Sequence, residues 1–82
     1  MSDCQVFRAQ MSEYVIVEFK DVLKELRQSK SLSQRELSKL TGLSFSIISQ
    51  WERGKREPSG YCLKILAKFF EVSTDYLLGL ED

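Results

Sequence analysis

Phe45, Ser46, Ser49 and Gln50 are related by helical steps of one, three and four residues, which gather them on one face of a helix. Their chemistry is recognition rather than bond making. A glutamine amide donates and accepts together, matching adenine N7 and N6 in a pairing that discriminates by about 1–3 kcal/mol. Serine hydroxyls give single hydrogen bonds to several bases, and a phenyl ring suits a thymine methyl. These four are the candidate base-reading residues. Ile47 lies beside them, and the sequence leaves open whether it packs inward or meets DNA.

A second set would hold an anionic backbone. Gln34 stands at the start of a helix, where free N–H groups and the helix dipole favour an anion, and Arg53, Lys55 and Arg56 follow just after the reading face. With Ser44, the cap of the reading helix, they form the candidate phosphate-binding set, which fixes affinity and register but carries no base preference. Lys30, Arg35 and Lys39 are weaker candidates, because a charged residue on a helix is ordinarily just solvated.

The sequence offers little else to a chemist. It has no histidine, and its two cysteines, Cys4 and Cys62, are far apart, so neither a metal nor another cofactor is expected. Cys62 reads as a small buried hydrophobe and Cys4 as incidental. Without paired carboxylates in a cleft, a glycine-rich phosphate loop or a nucleophile motif, an enzyme is not expected. No apolar run approaches the ~20 residues of a membrane span and no signal sequence opens the chain, which points to a cytoplasmic protein without a membrane partner.

Net charge is zero over 82 residues, which taken alone disfavours a nucleic-acid partner. Its distribution reverses the inference. From Lys24 to Glu57 eight basic residues face four acidic ones, and the remainder carries the opposite imbalance. Such polarity orients a protein on DNA and keeps its far side unattractive to phosphate.

Helices must position these side chains. Phe19, Val22, Leu23 and Leu26 make the stripe of a first helix ending near Ser29 to Ser31, and Leu32 anchors the following turn. Ser33-x-x-Glu36 is a capping box opening a second helix with Leu37 and Leu40 inward, ended by Gly42 in the left-handed conformation. Ser44 caps a third helix with Ile48 and Trp51 inward and Gly54 as terminator. Pro58-Ser59 starts a fourth, with Leu63, Leu66, Ala67 and Phe70 buried. Ser73 caps a short fifth, Asp75 to Leu78, closed by Gly79. The fold class is therefore all-α, with five helices and a helix-turn-helix at the second and third. Residues 1–18 read as an N-terminal extension, either a flexible tail or, at Tyr14 to Val17, a short strand that would need a partner. Residues 19–79 are the domain and 80–82 a tail, which leaves no room for a small-molecule effector domain.

The stretch from Phe19 to Gly79 resembles the lambda-repressor and Cro-like, or Xre-type, helix-turn-helix family. The resemblance rests on Leu26-Arg27, Leu32-Ser33-Gln34, Glu36-Leu37, Gly42-Leu43-Ser44, Ile48-Ser49, Glu52-Arg53-Gly54-Lys55, Pro58-Ser59, and Val72-Ser73 with Asp75 and Leu77. It implies a five-helix DNA-binding domain in which Gln34 meets phosphate, Phe45, Ser46 and Gln50 occupy reader positions, and Arg27 pairs with Glu52. Three departures stand out. Ser31 replaces a frequent glycine, Ser38 a usual alanine whose site would require its hydroxyl to find a backbone acceptor, and Phe45 a usually polar reader.

The function expected is sequence-specific regulation of transcription, as a repressor binding a palindromic operator in double-stranded DNA as a homodimer. The dimer surface expected first is Tyr76, Leu77, Leu78 and Leu80, with Tyr14 to Val17 second. The alternative is an antitoxin-like or bridging module whose main partner is a protein, for which Phe45 and Ile47 are the supporting residues.

Overall fold

Four serines start four of the five helices. In the computed structural model, which describes residues 18–80, the order is α1 Phe19–Ser29, α2 Gln34–Thr41, α3 Phe45–Glu52, α4 Gly60–Phe70 and α5 Thr74–Leu77. Ser33, Ser44, Ser59 and Ser73 each accept a hydrogen bond from the backbone N–H three residues on. At Ser33 the exchange is reciprocal, because the Glu36 carboxylate accepts from the Ser33 N–H at 2.8 Å. Each such cap is worth about 1 kcal/mol. The extension through residue 17, with its β-branched segment Tyr14 to Val17, lies outside the described residues.

The helix ends obey an equally simple rule. A left-handed residue follows every helix: Ser31, Gly42, Gly54, Glu71 and Gly79. After α1 the Leu32 N–H reaches back to the Arg27 carbonyl and the Ser31 N–H to that of Gln28, and Lys55 and Gly54 repeat the pattern on Gln50 and Trp51 after α3. These bonds satisfy carbonyls that the helix leaves unpaired. Ser31, at φ 58°, is thus a left-handed serine doing what glycine does at no steric cost.

The inner faces converge on one core of Phe19, Val22, Leu23, Leu37, Leu43, Ile48, Trp51, Leu66, Phe70 and Leu77. α3 packs against both α1 and α2, while α5 closes the core against α1 and α4. Phe19 and Trp51 meet edge to face at 5.7 Å between ring centroids, which locks the start of α1 to the last turn of α3. The Ser38 hydroxyl donates to the Leu43 carbonyl across the α2–α3 turn, so the polar replacement is satisfied where the helices come close.

Four expectations are corrected. Leu40 is 59% exposed and belongs to the outside of α2, because the eight-residue helix turns only Leu37 fully inward. Leu77 is fully buried and therefore part of the core, which removes it from any dimer surface. The last helix runs one residue earlier than expected, since Ser73 caps it directly and Leu78 falls in the turn beyond. Cys62 is half-buried at the edge of the core.

Candidate nucleic-acid interface

Burial of Ile48 and Trp51 sets the rotation of α3 about its axis. With those two inward, Phe45 and Ser46 are exposed and Ser49 and Gln50 half-buried. Ile47 is partly buried against the core, which answers the question the sequence left open. The first two turns of α3 therefore offer one ring, two hydroxyls and one amide on the side away from the core.

The residues assigned to phosphate fall on both ends of α3 and at the start of α2. Arg53, Lys55 and Arg56 are exposed in the segment after α3, and the left-handed Gly54 among them redirects the chain. Ser44 is exposed, and its oxygen accepts from the Ile47 N–H, leaving the hydroxyl proton free to donate. Gln34 is half-buried at the first position of α2. Its Nε2 donates to Glu52 Oε1 at 3.0 Å, so the amide is already oriented from behind.

Behind the surface Glu52 gathers three elements. Arg27 Nε donates to Glu52 Oε2 at 2.7 Å and Nη2 to Oε1 at 2.8 Å, a bidentate fork, and Nη1 donates to the Leu32 carbonyl at 2.7 Å. The two side chains are only 11% and 4% exposed. The Arg27 pKa is held above its ordinary value, chiefly by the hydrogen bond to Glu52, with burial opposing and Coulomb attraction to the same carboxylate adding. In this arrangement α1 and α2 are tied to the one carboxylate of α3, and Arg27 also holds the turn after α1.

One contact at the surface was missed by sequence reasoning. The Arg35 guanidinium carbon lies 4.3 Å from the centroid of the Phe45 ring. Arg35 is the second residue of α2 and Phe45 the first of α3. Their separation in sequence gives no periodic signal, and only the crossing of the two helices joins them.

A family model described as helix-turn-helix matches residues 23–77. The chain belongs to that family, in its lambda-repressor-like, Xre-type form. This is a family of DNA-binding transcription regulators and not of enzymes. Among its relatives is the HTH-type transcriptional activator BcrR of Enterococcus faecalis, 41% identical over 66 residues that cover 80% of this chain and 32% of BcrR. The P22 c2 repressor bound to a synthetic operator is a structural neighbour with a TM-score of 0.73 and 35% identity, over 79% of this chain and 98% of that one. The restriction-modification controller protein C.AhdI from Aeromonas hydrophila superposes with a TM-score of 0.68 at 36% identity, over 77% of this chain and 96% of that one. The chain spans from about a quarter to about a half of the length of the curated relatives BcrR, P22 repressor C2 and ImmR of Bacillus subtilis. Among the described residues, no helix of this family member is long and apolar enough to cross a membrane.

Proposed function

We propose that the chain is a sequence-specific DNA-binding transcriptional regulator that represses by occupying a palindromic operator as a homodimer in the cytoplasm. The observation that carries this reading is the α2–Gly42–α3 unit, whose buried Leu37, Ile48 and Trp51 turn Phe45, Ser46, Ser49 and Gln50 to the outer side of α3. Its likeness to the P22 c2 repressor, a protein solved on an operator, supports the same reading. The first turns of α3 enter the major groove with Phe45, Ser46, Ser49 and Gln50 toward base edges, while Gln34, Ser44, Arg53, Lys55 and Arg56 meet phosphates. Two half-sites about 10–10.5 base pairs apart match the two-fold axis of a dimer.

The dimer surface is the end of the chain around α5, where Leu78 and Leu80 are 37% and 73% exposed. Large apolar side chains left in water beside a folded core favour association. Two copies joined there by a two-fold axis present their α3 helices to successive turns of one face of the duplex.

Selection of bound sequences from random duplex DNA at two salt concentrations tests the proposal. A palindrome is expected, with affinity falling about 10³–10⁵-fold between about 50 and 200 mM salt, as about six to ten phosphate contacts produce. No enriched sequence and a flat salt response would instead favour a protein-interaction module. Sedimentation at high micromolar concentration that finds only monomer would overturn the dimer.

A further inference from the structure

The contact between Arg35 and Phe45 has no role in holding the core. Both side chains are exposed, and each sits in the first turn of its helix. Among the described residues the one ion pair is Arg27 with Glu52, so no described carboxylate holds Arg35. The adjacent Glu36 is committed to the capping box of α2. What meets the guanidinium is the face of the phenyl ring, at 4.3 Å from its centroid.

That contact has two physical effects. The ring attracts the cation through its quadrupole and restricts a long side chain that would otherwise sample many rotamers. With no described carboxylate against it, the guanidinium also keeps N–H donors, the part of arginine that forms paired bonds. Because Phe45 opens α3 and belongs to the candidate reading set, the contact brings the guanidinium to that set.

The geometry points to Arg35 as a specificity-determining residue that reads guanine O6 and N7 from over the Phe45 ring, with the ring itself against the methyl of a neighbouring thymine. This rests on the DNA-binding reading above. A guanidinium fork fits the two guanine acceptors, whereas lysine supplies the same charge without the planar fork or the stacking surface. Phe45, where the family usually has a polar reader, thereby gains hydrogen-bonding capacity by borrowing it from α2. The pair acts as one reader of a thymine–guanine step.

The test is sequence selection and competition binding with the full chain and its Arg35→Lys, Arg35→Ala and Phe45→Leu variants. The wild type is expected to prefer guanine at one position of each half-site by about tenfold or more. In Arg35→Lys that preference falls below about twofold while the salt slope and the other positions are unchanged, because the charge is kept. Phe45→Leu keeps apolar contact with thymine but weakens the guanine preference, since the aromatic face is gone. Circular dichroism of each variant verifies that the fold is intact. If Arg35→Lys selects the wild-type sequence and Arg35→Ala merely lowers affinity for all sequences and the salt slope by about one, Arg35 is a phosphate contact and the inference fails while DNA binding stands. A wild type that enriches no sequence overturns both.

Discussion

Arg27 on α1 and Glu52 on α3, 25 residues apart in sequence, are joined by two parallel hydrogen bonds of 2.7 and 2.8 Å. Because the same carboxylate also accepts from Gln34, the pair sets where the start of α2 lies relative to the reading helix. Its removal should therefore act on folding before it acts on recognition.

Glu52→Ala leaves a largely buried guanidinium without its partner and is expected to cost about 3–5 kcal/mol, with base preference unchanged in the folded fraction. Urea denaturation measures the loss. The double variant Arg27→Met with Glu52→Leu should lose less than the sum of the single changes, because neither charge is then stranded. The raised Arg27 pKa means its contribution is complete below arginine's ordinary value and is lost only as pH climbs through the higher folded value. The gap between wild type and Glu52→Ala should accordingly stay constant from about pH 7 to about pH 10. A gap that closes in that interval would show that Arg27 titrates there.

Leu37 and Leu40 share α2 but not an environment, with 0% and 59% exposure. Leu37→Ala should destabilise the domain by about 2–5 kcal/mol, through lost burial and the cavity it leaves. Leu40→Ala should stay within about 0.5 kcal/mol. Equal losses in thermal melts would return Leu40 to the inner face.

Ser31 and Glu71 hold left-handed conformations at φ 58° and 59°. Replacing either by glycine removes a steric cost of about 1–2 kcal/mol but adds freedom to the unfolded chain, for a net gain of about 0.5–1 kcal/mol. In a domain of this size that corresponds to a rise of roughly 2–8 °C in Tm. A fall in Tm for both variants would mean the side chains contribute more than the backbone conformation costs.

Arg53→Ala and Lys55→Ala are expected to lower affinity for all sequences alike, each reducing the logarithmic salt slope by about one. Gln50→Ala should leave the slope unchanged and relax discrimination at one position by about 1–3 kcal/mol. Fluorescence anisotropy across a salt series, with specific and scrambled duplexes, separates the two classes. A selective effect of Lys55→Ala on one base pair would move it into the reading set.

Much of this was legible in the chain because capping is local chemistry. Ser33, Ser44, Ser59 and Ser73 announce helix starts, and Gly42 and Gly54 mark ends, since the groups they satisfy lie within four residues. Glu71 gave no such signal: glutamate has no special liking for a left-handed φ, and the chain adopts it where α4 must turn toward α5. Leu40 misled because a stripe drawn through two leucines on a short helix does not reveal how wide the neighbouring face is. The contacts of Gln34 with Glu52 and of Arg35 with Phe45 carry no periodicity, for each spans two helices.

Spacing along one backbone was enough for five helices, the serine caps of four of them, the inward Ile48 and Trp51, and the outward face of α3. That Leu77 is core and Leu40 surface, that Ile47 packs partly inward, and that Arg35 lies over Phe45 came from the packing of helix on helix. Those outcomes depend on which helix faces which at a distance of a few ångströms. Helix crossing is settled by the packing of all the inner faces together, and no local pattern contains it.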